Sequence, residues 1–419
     1  MSIGSNDSLM PNIVRLSGLL AFACLFYGCG GGSSSTAPST NEPEPPPQVP
    51  TGAASCINGN AAGFSCLGVT LRARVPLDEM IGTEANDIWG WFDTATGSEY
   101  ALLGMTNGTS FVDVTDPENP VFLGRLPTQT QSSAWRDIKV YQDHAYIVAD
   151  NAGAHGMQVF DLTQLRGLTA AQDFSPEAVY SDFGNAHNIA INEDTGFVYA
   201  VGTNTCGGGL HMIDITTPNN PLFAGCHSSG DTHDTHCVVY AGPDPDYPGA
   251  EICASSNANH VEIADVTNKA SPQTLAAFDY PQLGFVHQGW LTDDHRFLLI
   301  GDELDESNFG VPTRTHVFDV TDLDAPAYVF AYEASTSSID HNLYVLGNKV
   351  FEANYTSGLR VLEFADLGNE QMTEIAFFDT FPGSDAAVFD GAWSVYPYLP
   401  SGNVIVSDIS NGLFVLTLQ

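Results

Sequence analysis

Four histidines in this chain keep the rhythm of a repeat. His187 stands in AHNIAI, His236 in THCVVY, His287 in VHQGWL and His341 in DHNLYV, at intervals of 49, 51 and 54 residues. Each precedes the apolar core of a strand-like segment, and the whole chain has only 12 histidines in 419 residues. Imidazoles that converge on one space make a nitrogen-rich site, and a metal suits it because binding needs the neutral ring and removes the repulsion between protonated ones. An all-imidazole set without thiolate favours one transition metal, iron or copper, with zinc as an option. The same phase places Asn86, Arg136 and Trp393 in the remaining units. Arg136 could hold an anionic group or pair with Asp137 or another nearby carboxylate. Just before His236, DTHDTHC (231–237) adds His233 as a further ligand and Asp234 as a proton acceptor. GDELDESN (301–308) brings Asp302, Glu303 and Asp305, suited to a general base, an acceptor behind His287, or a separate calcium site on an acidic loop. A bland role competes with ligation: a histidine at a strand start can cap it by bonding a neighbour's backbone, and repetition copies such a role equally well. Of the others, His144, His295 and His316 read as surface residues, His211 as packing, and His155 and His260 as isolated near loops.

The elements that position these residues come from a repeat of about fifty residues. FVDVTDPENP (111–120), VFDLTQL (159–165), MIDITTPNNP (212–221), IADVTNKASP (263–272) and VFDVTDLDAP align Asp113, Asp161, Asp214, Asp265 and Asp319 at spacings of 48, 53, 51 and 54 residues. VLEFADL (361–367) and LFVLTLQ (413–419) are weaker copies. Each unit carries four strand-like segments, as NIAIN, GFVYAVGT, GGLHMIDI and PLFAGC show in the third. The expectation is an all-β, seven-bladed β-propeller of four-stranded blades over 80–419. The last unit ends on its third strand, and GVTLRARVPL (68–77) is the N-terminal strand that would close the ring. The DxTDPxNP turns explain themselves as tight turns and carry no function.

The motifs NDIWGW, WRDIKVY, AHNIAIN, CGGGLHMIDI, HQGWLTDDHR, GDELDE, DHNLYV and PSGNVIVSDISNGLFVL, on an LVIVD-type repeat, resemble the choice-of-anchor B family over roughly residues 80–419. That resemblance implies an exported bacterial propeller joined to a surface anchor, and no particular catalytic activity. One histidine from each of four blades is also similar to the iron site of carotenoid-cleaving oxygenases, an analogy of fold and ligands only.

The N-terminus reads as an anchor. LSGLLAFACLFYG (16–28) is an apolar stretch too short to span a bilayer, which makes 1–28 a lipoprotein signal peptide with Cys29 as the lipidated residue. Residues 29–55 are a Gly/Ser/Pro-rich tether, and 56–79 a disulfide loop followed by the closing strand. Cys56, Cys66, Cys206, Cys226, Cys237 and Cys253 form an even set in an exported chain, and proximity favours Cys56–Cys66, Cys206–Cys226 and Cys237–Cys253. With 12 Lys+Arg against 50 Asp+Glu and a net charge of −38, the surface repels phosphate backbones and anionic headgroups. Nucleic acid is therefore excluded as a partner, and membrane contact is expected only through the lipid. No nucleophile elbow, P-loop or dinucleotide fingerprint is present. The leading reading is an outer-membrane or cell-surface lipoprotein, a monomer with a central four-histidine transition-metal site, acting on an unknown small molecule with Glu303, Asp234 and Arg136 as catalytic candidates. The rival is a non-catalytic surface-binding or scaffold module with a structural metal or none.

Overall fold

A computed structural model describes residues 51–228 and 230–419; the leader expected over 1–28, Cys29 and most of the tether lie outside the described residues. The described chain is a seven-bladed β-propeller built of four-stranded antiparallel blades. In chain order the inner strands are Ala85–Asp93, Arg136–Tyr141, Asn188–Asn192, Asp234–Val239, Val286–Leu291, Asn342–Leu346 and Ala392–Tyr396. From each the chain meanders outward, in blade three through Phe197–Val201, Leu210–Asp214 and Leu222–His227.

The repeated aspartates are turn residues. In five blades the side chain following the third strand accepts the backbone N–H two residues on, each at 2.9 Å: Asp113 from Thr115, Asp161 from Thr163, Asp214 from Thr216, Asp265 from Thr267 and Asp319 from Thr321. This is an Asx turn; in four of these blades it reverses the chain toward the outer strand, and in blade two it caps the 3-10 helix Leu162–Leu165. Because blades pack face to face, middle strands are buried on both sides and read as continuous runs rather than alternations; FLLIGD at Phe297–Asp302 is buried throughout.

Closure comes from the N-terminal side. Val69–Val75 pairs antiparallel with Gly412–Leu418 and is the fourth strand of blade seven. Phe64–Leu67 pairs with the outer strand of blade six, through Phe377↔Leu67 and Phe378↔Cys66. One segment thus straps two blades, and Phe64 sits against Phe378 and Phe414 from both. The end of the expected tether is part of this strap, since Ala54 and Ser55 pair with Leu71 and Thr70. Three disulfides join Cys56–Cys66, Cys206–Cys226 and Cys237–Cys253, which fits an oxidising, extracytoplasmic compartment. Among the described residues no helix is long and apolar enough to cross a membrane.

Candidate metal centre

One residue at the start of each inner strand occupies the same place in its blade: Asn86, Arg136, His187, His233, His287, His341 and Trp393. Register shifts between Ala85/Ile88, Val286/Gln288 and Ala392/Ser394 mark bulges around Asn86, His287 and Trp393. Such bulges turn a side chain out of the pleat and toward the end of the strand. Four imidazoles, one at a bulge and three just before their strands begin, stand in an arc, with ring centroids 4.3 Å apart for His187–His233, 4.3 Å for His233–His287 and 4.2 Å for His287–His341.

His236 does not belong to this arc. It lies one turn of pleat further along the strand, stacked on Trp290 at 3.7 Å, where its Nδ1 accepts the Leu291 N–H at 3.2 Å. His233 takes the place expected of it, because blade four begins its inner strand three residues earlier than its apolar core suggests.

Neighbouring blades set the tautomers. His233 Nδ1 lies 2.9 Å from the carbonyl oxygen of His287, and His287 Nδ1 3.1 Å from that of His341. His341 Nδ1 bonds the carbonyl of Trp393. A carbonyl oxygen only accepts, so each of these rings carries its proton on Nδ1 and keeps an Nε2 lone pair. His187 Nδ1 is held instead by Asp150 Oδ2 at 3.0 Å. Burial opposes ionisation of Asp150, but the bond to His187 and its charge hold the carboxyl below its ordinary range. Capping the neighbour's backbone and presenting a ligand atom are thus two ends of one ring.

Glu303 completes the cluster. Its Oε1 lies 3.8 Å from His287 Nε2 and 3.6 Å from His341 Nε2, and it accepts the Tyr355 hydroxyl at 2.8 Å. Ligand atoms of His287, Glu303 and His341 lie within 4.8 Å of one another. Burial pushes Glu303 up to about 7. It holds His341 down at about 3, and burial with the neighbouring rings keeps His233 and His287 well below an ordinary histidine. All three are neutral at physiological pH. Glu303 Oε1 therefore faces the lone pairs of His287 Nε2 and His341 Nε2 at distances too long for a shared proton.

Among the described residues Arg136 pairs with no carboxylate. Its Nε donates to the Met105 carbonyl at 3.2 Å and its Nη1 to His155 Nε2 at 3.2 Å, while Nη2 has no hydrogen-bond partner. The residue is 2% exposed, and burial lowers it to about 10. His155 is not isolated, since its Nδ1 bonds the Gly156 carbonyl and leaves Nε2 as acceptor for Arg136. Asp137 is spent on Lys139 and on the N–H groups of Ile138 and Ile189.

Asp234 lies outside the three-residue group, bonded to the Thr235 N–H at 2.6 Å. Burial raises it to about 7, with Lys139 opposing the rise and Asp137 adding to it. With Lys139 and His236 it lines a cavity of about 570 Å³, walled by Trp89, Trp290, Tyr344 and Tyr396. Asp302 is not an acceptor for His287: it takes the Tyr280 hydroxyl and the Gly284, Phe285 and Leu304 N–H groups. His316, expected at the surface, is fully buried. Sequence reasoning missed Asp150 and Tyr355. Asp150 had a signal, because the second strands of blades two, five and seven all run out at an aspartate in the same register, as VAD, IGD and VSD.

No family model and no curated protein matches the chain. Solved structures do. The propeller domain of Cps50 (Swd1) from Myceliophteria thermophila aligns with a TM-score of 0.52 at 10% identity, covering 81% of this chain and 98% of that one. The periplasmic gluconolactonase PpgL of Pseudomonas aeruginosa aligns at 0.49 with 13% identity, over 76% and 100% of the two chains. A hypothetical selenium-binding protein from Sulfolobus tokodaii aligns at 0.47 with 10% identity, over 73% and 86%. At these identities the likeness is one of fold.

Proposed function

We propose that this chain is a lipid-anchored extracytoplasmic propeller holding one transition metal at the mouth of its channel, and that the metal serves catalysis on an anionic small molecule. The observation that carries the reading is the meeting of two imidazole lone pairs, on His287 Nε2 and His341 Nε2, with one carboxylate oxygen, Glu303 Oε1, 3.8 and 3.6 Å away and already steadied by the Tyr355 hydroxyl. In a tetrahedral site with ligands at about 2.1 Å, ligand atoms stand roughly 3.4 Å apart. Two imidazoles and a carboxylate with open positions suit iron(II), and His233 and His187 extend the set toward copper or zinc. Glu303 is then a ligand held in place by Tyr355, rather than the free proton acceptor its sequence position suggested. The metal would supply Lewis-acid or redox chemistry. Arg136, buried and without a carboxylate, would orient an anionic group of the substrate. Cys29 as the lipid anchor and membership of the choice-of-anchor B family belong to the same proposal.

A scaffold reading draws support from one feature. His233, His287 and His341 are 8, 2 and 4% exposed, as befits a closed structural metal.

Elemental analysis of the exported chain, purified without a histidine tag, is the test. Expected is one iron, copper or zinc per chain, lost in His287→Ala and His341→Ala with the fold retained, and kept in His236→Ala. Azide that perturbs the metal's spectrum would mark an open position and an enzyme; a metal indifferent to azide would favour the scaffold. No stoichiometric metal after reconstitution would sink both metal readings.

A further inference from the structure

A second cluster lies behind the histidine arc, where blade five meets blade six. Asp305 and Glu306 open the short helix Asp305–Phe309 after the second strand of blade five, and Asp340 precedes the inner strand of blade six. Ligand oxygens of the three lie within 4.8 Å of one another, and the residues are 0, 4 and 5% exposed. Asp305 Oδ1, both carboxylate oxygens of Glu306 and Asp340 Oδ1 have no hydrogen-bond partner among the described residues. The remaining oxygens are held: Asp305 Oδ2 by Arg314 and Asp340 Oδ2 by the Asp302 N–H at 2.8 Å. The scaffold thus fixes the carboxylates of Asp305 and Asp340 by one oxygen each and leaves the other oxygen bare, while Glu306 is bare at both.

A histidine adds an independent sign. His316, fully buried on the third strand of blade five, has its Nε2 without a partner and 3.8 Å from Asp305 Oδ2. Two glycines make room for the cluster. A Cβ at Gly301 would stand 2.4 Å from Asp340 Oδ2, and one at Gly284 would stand 2.6 Å from the Asp305 nitrogen. Four carboxylates here (Asp302 included) face one guanidinium, that of Arg314. Burying so many unpaired oxygens is costly unless a cation compensates them.

We infer that Asp305, Glu306 and Asp340 bind a divalent cation of the calcium class. Hard carboxylate oxygens at short mutual distances, two of the three carboxylates already held on their far sides, are what such a cation requires. The ion would tie blade five to blade six directly behind Glu303 and His341. This site rests on its own residues and not on the proposed transition-metal centre.

Calcium chloride is the probe, applied to the exported chain after dialysis against EDTA, in the wild type and in His287→Ala alike. One calcium per chain is expected by isothermal titration, with the melting temperature rising about 3 °C at a hundredfold excess over Kd. In Glu306→Gln the binding should vanish, while the calcium-free protein melts higher than the calcium-free parent because one buried charge has gone. Asp340→Asn should also lose binding. Calcium uptake that persists in both variants would overturn the site. So would a parent that calcium leaves unchanged while Glu306→Gln still melts higher, since the carboxyls would then be sharing protons among themselves.

Discussion

At the scale of the residue, two histidines three positions apart do unrelated work. His233 bonds a backbone carbonyl of the next blade through Nδ1 and aims its free nitrogen into the arc. His236 lies flat on Trp290, and burial lowers it to about 3, so it is a neutral packing group. His236→Ala should leave metal content unchanged and cost about 2 kcal/mol in urea unfolding, through the lost stacking and the Leu291 N–H left without its acceptor. A loss of metal in this variant would restore His236 to the ligand set. Arg136 shows the same economy from the other side. In a chain with 50 acidic residues, this buried arginine is held by a carbonyl and an imidazole rather than by an acid.

At the scale of the element, the repeat is maintained by turns and bulges rather than by the strands themselves. In blades one, three, four and five the Asx turn leads to an outer strand that begins eight residues after the aspartate, whereas in blade two Asp161 caps a short 3-10 helix and the outer strand follows later. Asp265→Ala removes one such bond and should cost about 1 kcal/mol, comparable to losing a helix-capping side chain. Chemical denaturation would read it, with metal content unaffected because the turn lies at the far side of the blade from the histidines. The bulge at His287 works at the opposite end of the blade, where it re-aims one side chain without disturbing the ladder beyond it. The strap of Phe64–Leu67 and Val69–Val75 serves the ring as a whole, pairing an edge in each of the last two blades that would otherwise lie open.

At the scale of the whole molecule, the acidity of the chain reaches into its core and shapes its response to pH. Burial raises Asp379 and Asp408 to about 6 each. In the unfolded chain an aspartate titrates near 3.9. A raised folded-state pKa means that the group's contribution is fully present below about pH 4 and is lost as pH climbs through about 6. For Asp408, with Oδ2 unpartnered, that loss amounts to about 3 kcal/mol above neutrality. Asp408→Asn keeps an acceptor for the N–H groups of Ser410 and Asn411. It should raise the melting temperature at pH 8 and change little at pH 4. Thermal melts across that range check it, and an equal shift at both pH values would mean that charge is not the cause. Asp93 runs the other way: its bonds to Arg166 lower it to about 2, so this tie between the first two blades survives well into acid.

The sequence by itself determined the propeller, because a fifty-residue period with four strand segments per unit has few other ways to bury its faces. It also determined the strand that closes the ring, since one blade was short of a strand and one strand was spare. It revealed that histidines gather at the strand starts, because a residue at a fixed phase of a repeat must come to a fixed place around the axis. What it could not settle was phase to within three residues. The apolar core of THCVVY points to His236, while the strand begins at Asp234 and puts His233 in the arc. Only the tertiary structure decided that, along with every partner that reaches in from another blade or a distant loop: Asp150 behind His187, Tyr355 on Glu303, His155 on Arg136, Asp340 beside Glu306. The physical reason is common to all of them. Repeat phase orders residues along one strand, but which lone pairs meet at an axis depends on bulges and on neighbouring blades, whose contacts have no fixed spacing in the chain.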